Sequence, residues 1–164
     1  MKRAIQVYLF IAVTFCNLSA QTPWLLDPSF GDNGITRINF GSNNNDSPND
    51  ILLLPDDRIL VAGRSISSYD YFIAMSQLLP TGQPDLLGFG TDGEVLLHFV
   101  LRDHANDVTR QEDGKLLVVG AEAVGNGTSQ ITPSLYRFNS DGSLDTAFAD
   151  SGKAVHRFTG NSPG

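Results

Sequence analysis

The sequence has a single cysteine, Cys16, and this shortage limits how the protein can be held together. If Cys16 leaves with an N-terminal signal, the remaining chain forms no disulfide bond and depends on packing and strand pairing alone. Positive charge is also scarce, with 11 Lys and Arg against 18 Asp and Glu and a net charge of −7. Nucleic acids and anionic membranes favour clustered positive charge, so neither is expected as a partner.

Two further absences and the hydrophobic content narrow the class of protein. No stretch after residue 20 combines helix caps with a 3.6-residue apolar period, so no helix is expected there. No G-x-S-x-G motif, P-loop or pair of cysteines is present, so the sequence predicts no catalytic, cofactor-binding or metal-binding residues. Hydrophobic residues make up 41% of the chain, which excludes a disordered protein and allows one buried core.

The N-terminal segment, residues 1–20, has the pattern of a secretory signal. Residues 1–3 are basic, residues 4–15 are mostly apolar, and residues 17–20 supply a cleavage region. The apolar run of about twelve residues is short for a membrane span, which needs about 20. A membrane anchor and a lipid anchor at Cys16 remain alternatives. We expect an exported protein, extracellular or at the cell surface, with no membrane span after cleavage.

One apolar phrase occurs twice along the chain. Residues 112–120, EDGKLLVVG, predict a tight turn at Asp113 and Gly114, then a strand that a glycine ends. The four apolar residues at positions 116–119 are typical of a short strand buried on both faces. Residues 55–63, PDDRILVAG, show the same pattern earlier in the chain. The phrase therefore indicates a structural unit that occurs at least twice.

Other residues also recur along the chain, at nearly the same spacing as the two copies of this phrase. Phenylalanine recurs with a constant spacing at positions 30, 89 and 148 and again at 40, 99 and 158, and glycine recurs with that spacing at 34, 93 and 152. The Asn–Asp pair at 49–50 returns at 106–107, and Gly82 returns as Gly142. Several independent markers that share one period indicate an internal structural repeat.

Each period contains four strand-like pieces separated by Gly, Asn, Asp and Pro. The first copy has residues 35–40, 50–54, 58–63 and 71–78, and the second has residues 94–100, 106–110, 115–121 and 134–139. Val95, Leu97 and Phe99 alternate with other residues, so one face of that strand should be better buried. Four strands per period are typical of a β-propeller blade, because stacked blades bury both faces of each sheet. A stacked solenoid would do the same and is the structural alternative.

Two phrases carry a resemblance to a known family. Residues 141–148, DGSLDTAF, and residues 113–120, DGKLLVVG, resemble the delta-60 repeat of bacterial propeller-like proteins. Other copies depart from the pattern, with Asp57 and Ala149 in place of glycines and Pro84 in place of a leucine. The resemblance extends over residues 24–159. It implies a propeller-like fold and supplies no catalytic residues.

We therefore predict an all-β protein of repeated four-stranded antiparallel sheets, a partial propeller of about two and a half blades. The predicted division is a signal at residues 1–20, repeats at 21–82 and 83–142, and a truncated third repeat at 143–164. A closed propeller needs about four to eight blades. Further blades are therefore expected in a parent chain or in another subunit, and the sequence favours a fragment of a longer protein over a short chain that self-associates.

The polar residues that stand out have structural interpretations. The recurring aspartates could hold calcium, but no D-x-[DN]-x-[DN]-G loop is present and Asp beside Gly is ordinary turn chemistry. These aspartates are Asp27, Asp85 and Asp145, followed in the turns by Asp32, Asp92 and Asp150. Ser143 belongs to the repeated turn, and the histidines His98, His104 and His156 lack metal-ligand spacing. Residues 126–128 fit a glycosylation sequon, and Trp24, Tyr69 and Tyr71 are expected to pack the blade edge although they could stack on a ligand.

Three functions fit this architecture. A non-catalytic scaffold or binding module would contact an unknown protein or glycan ligand through loops such as residues 41–48 and 124–133. Part of a carbohydrate-active or lyase-type propeller enzyme would need convergent His, Asp or Arg side chains near the blade axis. A structural array would have no ligand. Because no catalytic motif is found, we expect the first function and no enzymatic activity.

Overall fold

The computed structural model describes residues 25–41, 45–68, 70–99, 102–123 and 131–156, and these residues form strands, turns and bridges without any helix. Eight strands follow in chain order: β1 Asn45–Leu53, β2 Ile59–Ser67, β3 Asp70–Leu78, β4 Glu94–Leu97, β5 His104–Arg110, β6 Leu116–Ala123, β7 Ile131–Phe138 and β8 Lys153–Val155. The expected lack of helices is confirmed over these ranges. None of them contains a helix long and apolar enough to cross a membrane.

The strands form two four-stranded antiparallel sheets. Sheet 1 has the order β1-β2-β3-β4, and sheet 2 has the order β5-β6-β7-β8. The turn before β6 requires a positive φ at Gly114 (91°), and the equivalent turn before β2 places Asp57 at 62°. Glycine takes this conformation without strain, and aspartate is among the few other residues that tolerate it. The predicted fold class is confirmed, and both sheets are consistent with blades of a partial propeller.

Residues 94–97 do not belong to the same sheet as the strands that follow them. Residues 94–97 form β4, which pairs with β3 and places Val95 opposite Met75. β8 closes sheet 2 against β7 in the same way. Grouping residues 94–100 with the second set of strands is therefore wrong. The connection from β3 folds back on its own strand, where the Gln77 N–H donates to the Gly93 carbonyl at 2.9 Å.

Residues 35–40 are predicted to be a strand, but the structure shows only isolated bridges from Ile35 to Gly31 and Asp32. In the repeat these residues occupy the position of β4, the fourth strand, which pairs with the third strand of the same sheet. No third strand precedes residues 35–40 in the described part of the chain. The strand prediction is wrong here because the hydrogen-bonding partner that a strand requires is not among these residues.

The two sheets share one hydrophobic core. Alternate residues of each strand point to one face, so paired residues such as Ala62 and Met75 contribute together. The core residues are at most 4% exposed. They are Leu60, Ala62, Ile73 and Met75 from sheet 1, Phe89 from the connection between β3 and β4, and Ala105, Val108, Leu116, Val118, Tyr136 and Phe138 from sheet 2. Val95, Leu97 and Phe99 pack against this cluster, as their alternation predicts.

The expectation that residues 116–119 are buried on both faces is only half correct. Leu116 and Val118 point into the core and are buried, whereas Val119 is 42% exposed. Ala62, which occupies the position of Val119 in the first repeat, is buried. The difference arises because sheet 2 covers this face of sheet 1, and no sheet in the described ranges covers the same face of sheet 2.

Candidate functional site

The surface of sheet 2 that points away from the core is the first candidate for binding. Val119 of β6 and Leu135 of β7 are paired and share this surface. Leu117 and Ile131 lie on the same side of their strands, and Asp107 of β5 pairs with Val119 at one edge. We call these five residues the open face. Arg137, which pairs with Leu117, lies on the same side of β7, so these apolar side chains share the surface with one cation and with a carboxylate at its edge.

The open face is the repeat equivalent of the surface with which sheet 1 packs on sheet 2. Val119 and Leu135 occupy in the second repeat the positions that Ala62 and Met75 occupy in the first. Ala62 and Met75 are at most 1% exposed. One surface of sheet 1 therefore meets the opposite surface of sheet 2. Such a head-to-tail contact leaves the next copy of the same surface open and can be repeated.

Asn49 and Asp50 connect the two sheets at the β1 edge. They lie at a β-bulge of β1, where the pairing register shifts between Pro48 and Asp50. Asn49 Nδ2 donates to the Ala105 carbonyl at 2.5 Å, and the Val108 N–H donates to Asp50 Oδ2 at 2.9 Å. A bulge can re-aim side chains in this way. Asn49 and Asp50, which the sequence shows only as a recurring pair, thus link the two neighbouring sheets.

The second copy of this pair, Asn106 and Asp107, lies at the same kind of bulge in β5 and is exposed. Asp107 is close to Asp50, and the hydrogen bond and charge of the Asp50 carboxylate raise the pKa of Asp107. The pKa of Asp50 is lowered, mainly because it accepts the Val108 N–H. Of the two carboxyl groups, Asp107 therefore takes up a proton more readily.

The repeated phenylalanine turns also pack across sheets. Phe89 is 1% exposed, and a Cβ added to Gly142 would lie 3.0 Å from its ring. The Gly90 N–H donates to the Asp141 carbonyl at 2.7 Å. Phe148, the next copy of Phe89, is only half-buried. The turn contact that covers Phe89 thus has no counterpart around Phe148 in the described residues.

Asp85 and Asp145 accept hydrogen bonds from basic side chains beside their turns. Asp85 Oδ2 accepts from Arg58 at 2.8 Å, and Asp145 Oδ2 accepts from Lys115 and Arg137 at 2.7 Å each. Arg58 lowers the pKa of Asp85, and Lys115 lowers the pKa of Asp145. These contacts give both recurring aspartates a structural role beside their turns.

Other polar residues of the repeat bond within their own turns. Asp27 Oδ1 accepts from the Ser29 N–H at 2.9 Å. The Ser143 hydroxyl donates to Asp141 Oδ1 at 2.6 Å, so Ser143 is a turn residue as expected. Asp92 adopts a positive φ of 56° in the turn before β4. Asp32 and Asp150 likewise lie in turns.

The three histidines lie in separate places. The His98 ring is 4.9 Å from the Phe72 ring, His104 Nδ1 is 3.3 Å from the Arg102 carbonyl, and His156 follows β8. Over the described ranges, no group of three or more His, Cys, Asp and Glu residues could hold a metal ion.

Several residues singled out in the sequence lie outside the described residues. These are residues 1–20 with Cys16, Trp24, Tyr69, the sequon at 126–128, and residues 157–164. The two candidate binding loops are described only in part, at residues 41, 45–48 and 131–133. Tyr71 is described and lies under the guanidinium group of Arg64, 5.8 Å from the ring centre.

A second candidate site is a cavity of about 200 Å3 between residues 36–40 and sheet 1. Phe40 and Asp46 line it at one side, and the Phe40 N–H donates to Asp46 Oδ2 at 3.0 Å. Asp46 Oδ1 and Arg64 Nε are buried atoms without a hydrogen-bond partner in the described structure. No sequence motif marks this cavity. The one available signal is that Ser76 and Tyr136 differ although they occupy equivalent positions of the repeat.

Comparison with known proteins supports the propeller assignment for part of the chain. Residues 111–148 match a family model described as a domain of unknown function (DUF5122), beta-propeller. The matched segment runs from the turn before β6 to Phe148. No curated protein and no solved structure matches the chain. Together with the two four-stranded antiparallel sheets, the match supports a β-propeller-like repeat family whose function is unknown.

Proposed function

We propose that the protein is an exported, non-catalytic module of delta-60 type repeats that acts as a scaffold or binding surface beside further sheets of the same kind. One observation carries the proposal. The surface that sheet 1 uses to hold sheet 2 recurs on sheet 2 as the open face. There, Val119 is 42% exposed where Ala62 is buried. A protein that exposes an apolar sheet surface of this type usually has a partner for it.

A further repeat in the same polypeptide suits the open face better than a second copy of the chain. Residues 36–40 line the cavity on the outer surface of sheet 1, at the repeat position of a preceding fourth strand. In sheet 2, β8 already occupies that position. Two stacked copies would therefore place residues 35–40 and β8 in the same space. We accordingly propose that the chain is a fragment of a longer protein.

The experiment compares the free-energy cost of Val119→Lys in two chains. The first, the existing chain, is the sequence as given. In the second, the extended chain, a second copy of residues 98–156 replaces residues 157–164, so that one more repeat follows with the same spacing. In the existing chain the cost should be about 0.5 kcal/mol or less, as at other exposed positions. In the extended chain it should be about 2 kcal/mol or more, because the lysine would be buried against the added sheet.

The matched control is Ala62→Lys, at the equivalent buried position, which should be costly in both chains. Urea unfolding followed by circular dichroism gives the four values. An equal cost of Val119→Lys in the two chains, with Ala62→Lys costly in both, would show that the open face does not accept a repeat.

The proposed export rests on the pattern of residues 1–20. The test is to express the chain in a bacterium and determine the N-terminus of the protein recovered outside the cytoplasm. Export with cleavage gives a chain that starts close to Gln21. Recovery in the cytoplasm with the segment 1–20 still attached contradicts this part of the proposal.

The non-catalytic role is supported by how the polar side chains of the repeat are used. Asp85 and Asp145 accept hydrogen bonds from neighbouring cations, and Asn49 and Asp50 bond across the sheets. Each of these polar groups has a structural partner. The proposed ligand is a protein or a glycan.

A further inference from the structure

The cavity beside sheet 1 has a filled counterpart in sheet 2. The cavity-lining residues Phe40, Asp46, Val61, Gly63 and Ala74 correspond in the repeat to Phe99, Asp103, Val118, Gly120 and Ser134. Local contacts repeat as well. The Phe99 N–H donates to Asp103 Oδ2, as the Phe40 N–H donates to Asp46 Oδ2. The two places are therefore copies of one structural site.

In sheet 2, Tyr136 occupies this site. Its ring stacks on Phe99 with the ring centres 5.5 Å apart. Its hydroxyl lies 3.5 Å from Asp103 Oδ1, at the long end of the hydrogen-bond range. Tyr136 is fully buried and pairs with Val118 across the sheet. In sheet 2, the site is therefore filled by an aromatic ring that carries a hydroxyl group.

In sheet 1, the residue at this position is Ser76, which pairs with Val61 as Tyr136 pairs with Val118. A serine side chain lacks the ring. Ser76 lies on the same face of sheet 1 as Val61 and Ala74, which line the cavity of about 200 Å3. Cavities of about 150 Å3 in protein interiors bind benzene. Pockets for drug-sized ligands begin at about 300 Å3. The cavity next to Ser76 on this face therefore suits a single aromatic ring.

The free polar atom on the cavity side of sheet 1 suits a hydroxyl group. Asp46 Oδ1 is a buried acceptor without a hydrogen-bond partner among the described residues. Arg64 pairs with the core residue Ile73 and its guanidinium group lies over Tyr71, so its side chain belongs to the opposite face of the sheet. A buried polar atom without a partner is costly, so a ligand that supplies the missing bond gains affinity. A hydroxyl group can donate that hydrogen bond to the carboxylate.

We propose that this cavity binds a phenol group, with the ring against Phe40 and the hydroxyl donating to Asp46 Oδ1. The phenol comes either from a free small molecule or from a tyrosine side chain of a partner peptide. The proposal depends on the cavity alone and stands whether or not the open face accepts a further sheet.

The experiment measures binding to the full chain by ligand-observed NMR with four probes: phenol, benzene, N-acetyltyrosinamide and N-acetylphenylalaninamide. A single ring of this size should bind with a dissociation constant in the range of about 1 mM. The hydroxyl bond to a carboxylate should favour phenol over benzene by about tenfold. Binding of phenol alone indicates a small-molecule site, and binding of the tyrosine derivative as well indicates recognition of a peptide side chain.

Two variants identify the site. Ser76→Tyr fills the cavity from within and should abolish phenol binding while raising the melting temperature. Asp46→Asn keeps an acceptor for the Phe40 N–H but removes the charge, so the preference for phenol over benzene should fall. Tyr136→Ser is the matched control, because it opens the equivalent cavity in sheet 2 and should create a second site for phenol.

Three results would overturn the proposal: no binding of either hydroxyl-bearing probe to the wild-type chain, equal affinities for phenol and benzene, or unchanged phenol binding to Ser76→Tyr. Because Ser76→Tyr introduces the side chain that sheet 2 already holds, a folded variant is expected, and circular dichroism checks it. If that variant does not fold, the test is the ratio of the affinities for phenol and benzene in Asp46→Asn. A ratio equal to that of the wild type would contradict the proposal.

Discussion

Replacing Phe89 by alanine should destabilise the protein far more than the same change at its repeat equivalent, Phe148. Phe89 is 1% exposed, belongs to the core cluster and lies against Gly142 of the neighbouring sheet. Removing a buried phenylalanine costs about 3–5 kcal/mol, because transfer free energy is lost and a cavity remains. Phe148 is half-buried and lies under the Arg137 guanidinium group, 4.5 Å from the ring centre. Its removal should cost about 1 kcal/mol.

The assay is thermal unfolding and urea unfolding of both variants and the wild type, each followed by circular dichroism. With a total stability of about 5–15 kcal/mol, Phe89→Ala should lower the melting temperature by about 10 °C. Phe148→Ala should lower it by only a few degrees. Equal losses for the two variants, or a loss below about 1 kcal/mol for Phe89→Ala, would refute the reasoning that the sheet contact buries Phe89.

Further predictions concern the turns and their carboxylates. Gly142→Ala should cost more than Gly114→Ala in urea unfolding. Both glycines have positive φ, so the backbone strain of an added side chain is similar at the two positions. At Gly142 the added Cβ would lie within 3.1 Å of atoms of Val95, Phe89 and Gly90, whereas at Gly114 it would meet only the end of the Arg110 side chain. Equal costs of the two substitutions would contradict the packing of the turn at Gly142. The pKa values of Asp85 and Asp145 are lowered below the ordinary value of 3.8. Their contribution to stability should therefore be complete above about pH 5 and be lost as pH falls through the lowered values. Asp145→Asn should show a shallower loss between about pH 5 and pH 2 than the wild type, and an unchanged slope would speak against this contribution.

The repeat and the fold class could be predicted because both depend on the types of residues that are close together in the chain. Glycine at positions 93 and 152 marks turns that require positive φ, and alternation at Val95, Leu97 and Phe99 marks a buried strand face. These signals depend only on neighbouring residues in the chain. Hence the all-β class and the four-stranded sheets followed from the sequence.

Sheet membership and exposure could not be predicted in the same way, since both depend on distant residues. Whether residues 94–97 pair forwards or backwards is decided by the reversal of residues 79–93 on β3. The exposure of Val119 depends on whether another sheet follows, which its own sequence does not encode. Residues 35–40 have strand character but no strand partner in the described ranges.

The candidate sites were missed for a related reason. The cavity beside Phe40 lies on the face of sheet 1 where Ser76 takes the place that Tyr136 has in sheet 2. That difference becomes visible only when the two repeats are compared position by position with the register known. The Asn49 and Asp50 side chains were seen to recur, but their bonds to β5 depend on a bulge that the sequence does not show.

Amide hydrogen exchange at Val108 tests most directly how the two sheets stack, because its N–H on the edge strand β5 donates to Asp50 Oδ2 of the other sheet. The Val108 amide should exchange slowly in the wild type and much faster in Asp50→Ala, while amides in the centre of β6 remain protected. Rapid exchange at Val108 in the wild type, or no change in Asp50→Ala, would contradict this stacking.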